Sequence, residues 1–84
     1  MSKLKLDLHD IFNDRSRLEE ALEGVIDEAV RKRIRTVEII PGKGSGQLKK
    51  SVLRFLQEPR IKAQYHRVEK DGKNFGRLFV HFRF

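Results

Sequence analysis

Cysteine is absent from this 84-residue chain. Neither disulfides nor thiolate metal sites can therefore contribute to its stability, and a reducing, cytoplasmic setting is expected. Long apolar runs are missing too. Met1 to Leu8 alternates charged and apolar residues, which excludes a signal peptide or membrane anchor there, and no other stretch approaches spanning length. Hydrophobic content is only 38% and charged residues make up 37%, a balance that borders on disorder. The apolar residues nevertheless fall in periodic runs, which argues for a folded chain with one modest core. Acidic residues are in deficit. Twelve Asp and Glu face 19 Lys and Arg, giving a formal charge of +7 and a pI near 10.2. An excess of that size on so short a chain attracts polyanions. Neither helix carries the fully basic polar face that an anionic membrane surface would select.

Leu4, Leu6 and Leu8 alternate with Lys3, Lys5, Asp7 and His9. This period of two predicts a strand with one face in the core and Lys5, Asp7 and His9 together on the other. Asn13, Asp14 and Ser16 are candidate helix caps, and Ser16 with Glu19 has capping-box spacing. Leu18, Ala21, Leu22, Val25, Ile26, Ala29 and Val30 then form the apolar stripe of a helix. Glu19 and Glu20 at one end and Arg31, Lys32 and Arg33 at the other complement its dipole. Thr36 to Ile40 is a short β-branched strand closed by Pro41.

A second helix starts near Gly46 or Gln47, buries Leu48, Val52, Phe55 and Leu56, exposes Lys49, Lys50 and Arg54, and ends at Pro59. Ile61 to Lys70 follows as a weakly alternating third strand, although Arg60 to Gln64 also reads as loop. Asp71 to Asn74 is a turn, and Arg77 to Phe84 alternates cleanly as the last strand of an antiparallel hairpin. The resulting expectation is a single α/β domain over residues 1–84: a two-layer βαβαββ sandwich whose mixed four-stranded sheet carries two helices on one face. The other face is open.

The first two strands are expected to be parallel, which puts their carboxyl ends on one edge, where open α/β sheets favour ligands. Pro41-Gly42-Lys43-Gly44-Ser45-Gly46 occupies that edge and runs into a helix. Three glycines at alternate positions let a ligand approach the main chain, and the helix N-terminus favours an anion. Lys43 supplies a charge within the loop, and Lys49 and Lys50 follow on the first turns. No Gly-Lys-Ser/Thr triplet exists, so the loop is not a Walker A motif, and its even glycine spacing does not fit the dinucleotide fingerprint.

Asp7 and His9 share a strand face two residues apart, where a carboxylate can orient an imidazole for acid–base work. The alternative is an ordinary polar pair on a solvated edge. Arg77, Phe79, His81 and Arg83 fall on one row of the last strand, suited to phosphate pairing and base stacking, or simply to packing against neighbouring side chains. His66 has no assigned role. Asp7, His9, Glu38 and His81 share a sheet face and could in principle bind a divalent metal, but no ligand spacing supports one and no cofactor is expected.

Leu6-Asp7-Leu8-His9, an amphipathic helix, and then Val37-Glu38-Ile39-Ile40-Pro41-Gly42-Lys43-Gly44-Ser45-Gly46-Gln47-Leu48-Lys49 together resemble the Smr (small MutS-related) domain family, over essentially the whole chain. The resemblance implies a two-layer α/β fold similar to the C-terminal domain of bacterial translation initiation factor three; a standalone member that is a monomer is expected. It also implies action on nucleic acid: DNA nicking, or RNA binding and cleavage, including messenger RNA on stalled ribosomes. The family's functional positions map onto Asp7, His9, Gly42, Lys43 and Gly44. Two departures stand out. Asp10 follows the first motif where Gly or Arg is usual, and Pro41 replaces the histidine that usually opens the second. The glycine-rich segment before the last strand is reduced to Gly72 and Gly76. Proline offers no imidazole and no N–H, so the alternative to an endonuclease is a non-catalytic DNA-, RNA- or ribosome-binding module. A protein-interaction domain without a nucleic-acid role leaves the charge excess unexplained.

Overall fold

The structure, a computed structural model, describes residues 3–8, 14–41, 47–70 and 77–83. Among the described residues, seven elements follow in chain order: β1 (Lys3–Asp7), α1 (Arg15–Lys32), β2 (Thr36–Ile40), α2 (Gln47–Leu56), α3 (Pro59–Lys62), β3 (Arg67–Lys70) and β4 (Leu78–His81). The strands form one mixed sheet in the order β1-β2-β4-β3. β1 and β2 are parallel, and β4 runs antiparallel to both β2 and β3. The expected two-layer α/β sandwich is present, with one short helix beyond the two anticipated.

Side-chain alternation sorts the sheet into two faces. Leu4 pairs with Val37 and Leu6 with Ile39, and across β2 the same row continues through Val80 and Leu78. Against this row pack Leu18, Leu22, Val25, Ile26 and Ala29 of α1, Val52, Phe55 and Leu56 of α2, and Ile61 of α3. Each fully buried Leu, Ile or Val contributes roughly 1.5–3 kcal/mol relative to exposure. The apolar stripe of α1 is thus correct except at its end, where Val30 is 37% exposed because it lies past the edge of the sheet-facing row.

The helix ends differ from expectation in instructive ways. Asp14 caps α1: its carboxylate oxygen accepts from the Arg17 N–H at 3.1 Å. Ser16 lies inside the first turn, so the Ser16/Glu19 capping box does not form. Asp and Ser cap about equally well, and the carboxylate gains in addition from the positive end of the helix dipole. Glu19 and Glu20 fall beyond the first turn, and only Arg31 and Lys32 occupy the last one. The far end closes as a Schellman turn, with Ile34 N–H on the Ala29 carbonyl at 2.8 Å and Arg33 N–H on that of Val30 at 3.3 Å. Arg33 adopts the left-handed conformation, φ 55°, that this turn demands.

Pro59 does not end α2. The helix stops at Leu56, and Pro59 opens α3 at a position where its missing N–H costs nothing. The stretch Ile61 to Gln64 is therefore helix and turn, not strand, and Ile61 enters the core from a helix. Tyr65 secures this region from below: its hydroxyl donates to the Leu56 carbonyl at 2.7 Å. β3 begins at Arg67, and β4 is shorter than the run Arg77 to Phe84. The turn Asp71 to Asn74 lies outside the described residues.

Candidate functional site

The carboxyl ends of β1 and β2 lie side by side. Asp7 stands in register with Ile40, and the Leu8 N–H donates to the Ile40 carbonyl at 2.8 Å. Leu8 and Pro41, the next residues, are both buried, while Asp7 is exposed on the face away from the helices. The two sequence motifs therefore leave the sheet from adjacent strand ends. His9 and the loop Gly42 to Gly46, with Lys43, Gly44 and Ser45, lie outside the described residues. Lys49 is half-buried and Lys50 exposed on α2, which starts directly after the loop.

The open face of the sheet is polar and organised in rows. Lys3, Thr36, His81 and Arg67 form one row across the four strands, and Lys5, Glu38, Phe79 and Glu69 the next. Arg77, Phe79 and His81 come together here as expected of alternate residues, and exposed Arg83 continues past the strand end. Each is engaged. The His81 Nε2 lies 2.8 Å from a Glu69 oxygen and its Nδ1 lies 3.3 Å from the Thr36 hydroxyl. A carboxylate only accepts, so Nε2 carries the proton and, in the neutral ring, Nδ1 accepts from Thr36. Arg83 Nε donates to the His66 Nδ1 at 3.3 Å, which gives His66 a place beside the row.

At the centre of the face sits Glu38, 4% exposed and the one buried polar or charged side chain among the described residues. One oxygen meets the Lys3 ammonium at 3.0 Å, and the other meets an Arg77 guanidinium nitrogen at 3.2 Å. The Lys3 ammonium also lies over the Phe79 ring, 5.6 Å from its centroid. Lys3 and the anchoring role of Glu38 escaped sequence reasoning. The signal that could have found Lys3 was its parity with Lys5 and Asp7. Nothing local marks Glu38 as buried, since its partners come from two other strands. Among the described residues, no three His, Asp or Glu side chains converge as metal ligands. Glu38 faces cations, and His81 lies between Glu69 and the Thr36 hydroxyl.

The family model described as the Smr domain matches residues 6–83. The chain belongs to the Smr domain family. Among its curated relatives is the endonuclease MutS2 of Leuconostoc citreum, 38% identical over 65 residues, which covers 77% of this chain and 8% of that protein. The endonuclease MutS2 of Leuconostoc mesenteroides is 33% identical over 81 residues, or 96% of this chain and 10% of that protein. This Smr domain therefore spans about a tenth of the length of those relatives. The crystal structure of the Smr domain of Thermus thermophilus MutS2 superimposes with a TM-score of 0.71 over 99% of both chains at 16% identity, which establishes the shared fold. No described helix of the Smr domain is long and apolar enough to cross a membrane.

Proposed function

We propose that this Smr domain binds DNA or RNA at the carboxyl edge and open face of its sheet, and cleaves the phosphodiester backbone there. The observation that carries the proposal is the register of Asp7 with Ile40. It sets Asp7 beside the strand end after which the glycine loop follows in sequence, and this supports reading an acid–base pair and a phosphate cradle at one edge. Loop amides and Lys43 would hold the scissile phosphate. Asp7 would orient His9, which would take the proton of the attacking group, a water or, on RNA, a ribose hydroxyl. The P–O bond to that oxygen forms as the bond to the leaving oxygen breaks. The net charge of +7 supports the choice of a polyanion, and the name endonuclease borne by the MutS2 relatives supports cleavage.

The test is time-resolved cleavage of supercoiled plasmid and structured RNA. Asp7→Ala and His9→Ala should abolish cleavage while retaining binding. Equal activity in wild type and both variants would assign the nuclease to a contaminant and end the catalytic claim.

Pro41 favours a second reading, a non-catalytic binding module, because a buried proline stands at the strand end where the family usually has histidine. It predicts salt-dependent binding that falls steeply as counterions compete, no cleavage of either substrate, and loss of binding in Lys43→Ala with Asp7→Ala unaffected.

A further inference from the structure

A buried acid is an unexpected centre for a face that would meet a polyanion. Taking a carboxylate out of water is costly, and a well-packed apolar side chain at the same place is often neutral or better for stability. Stability alone therefore gives no reason for Glu38. Its two oxygens are used by cations on opposite sides of β2: Lys3 on β1, and Arg77 immediately before β4. Those side chains remain 57% and 43% exposed, whereas the carboxylate is 5% exposed. The acid is hidden and the cations are displayed. Lys3 is held further by the Phe79 ring beneath it.

Glu38 meets the Arg77 guanidinium at one terminal nitrogen, 3.2 Å away, which fixes its orientation, and a guanidinium carries five N–H donors, enough in principle to serve a carboxylate and a phosphate together. Long cationic side chains otherwise lose rotamer freedom when they grip a ligand. A carboxylate beneath them removes that loss in advance.

We propose that Glu38 is a positioning residue for nucleic-acid binding: its buried carboxylate fixes the Lys3 ammonium and the Arg77 guanidinium on the open sheet face, where each contacts a backbone phosphate. The inference rests on the nucleic-acid reading above and adds two phosphate ligands and the group that orients them.

The test exploits a conflict of sign. Glu38→Met keeps the side-chain volume and raises the net charge by one, so charge alone predicts tighter binding to a polyanion. Positioning predicts the opposite. In fluorescence anisotropy with matched DNA and RNA oligonucleotides over a salt series, E38M should bind roughly fivefold more weakly, the order expected when one partly exposed charge-assisted hydrogen bond is removed. The slope of log K against log salt should become shallower by about one for each phosphate that the variant no longer neutralises. Glu38→Asp preserves the charge but withdraws the carboxylate by one methylene, and it too should weaken binding. Adding Arg77→Ala to E38M should then cost less than Arg77→Ala in the wild type.

Thermal melts accompany each variant, and if E38M fails to fold, E38D decides. Unchanged or tighter binding by a folded E38M, or by E38D in its place, overturns the positioning role while leaving nucleic-acid binding intact. A wild-type domain that binds neither oligonucleotide removes the functional proposal itself, and this inference with it.

Discussion

The two faces of the sheet are built from the same strands, one residue apart, yet they are held together by different physics. On the helix side Leu4, Val37, Val80 and their neighbours meet α1, α2 and α3 and are largely shielded from water. On the open side the same strands present Lys3, Thr36, His81 and Arg67, and then Lys5, Glu38, Phe79 and Glu69, joined by ion pairs and hydrogen bonds rather than by closure of a core. The first face gains from excluding water and tolerates little change in volume. The second leaves its cations exposed and anchors them through one buried carboxylate. Stability is concentrated on one side, and chemistry can vary on the other.

Substitution on adjacent β2 residues breaks this comparison most sharply. Ile39→Ala should cost about 2–5 kcal/mol in denaturant unfolding, since it opens a cavity in a fully buried site. Glu38→Met, one residue away, should cost less than about 1.5 kcal/mol, because the cations it releases can be hydrated. Equal losses at the two positions would show that the open face is part of the stabilising core.

Tyr65→Phe should follow, at about 1 kcal/mol for the missing hydrogen bond to Leu56. Burial raises the Tyr65 pKa above its ordinary value of 10.0. A group with a raised folded-state pKa contributes stability that is fully present below the unfolded pKa and is lost as pH rises through the folded one. Melting temperature should thus decline on the alkaline side of pH 10, and less steeply in the Phe variant. An identical alkaline limb in both proteins would relocate the effect to another group.

Two changes, one just past the end of α1 and one within it, should stabilise. Arg33→Gly relieves a left-handed residue and should gain about 1 kcal/mol. Gly24→Ala should gain a similar amount, roughly 1 kcal/mol, since nothing lies within 4 Å of the added methyl. The smallest effect belongs to the exposed Lys32–Glu28 pair, 3.0 Å apart, where Glu28→Ala should change stability by less than about 0.5 kcal/mol. A larger loss there would mean that surface charge matters more than the division between faces allows.

Much of this was legible in one dimension. Strict alternation at Lys3 to Asp7 and at Leu78 to His81 announced the strands and their two faces, and the stripe Leu18 to Ala29 announced α1. Errors collected where a residue has two structural uses. Pro59 starts a helix as readily as it stops one, and Ile61 fits a strand pattern or a single helical turn equally well over so short a stretch. Ser16 lost the capping position to Asp14 because both lie within one turn and both are good caps, so the sequence pattern does not separate them. At the candidate site, the neighbouring carboxyl ends of β1 and β2 followed from the parallel pairing expected of a strand–helix–strand unit. The Lys3–Glu38–Arg77 anchor did not, because Lys3 and Arg77 lie 35 and 39 residues from Glu38 in sequence.

By itself, then, the sequence determined the α/β class, most of the residues that face the core, the basic character, and the family motifs, since each depends on local periodicity, composition or residue identity. Tertiary structure decided which strands became neighbours. That choice buried Glu38 in the middle of a polar face and set Lys3 and Arg77 on either side of it, because ion pairing across a sheet depends on lateral register and no local pattern encodes register between distant strands.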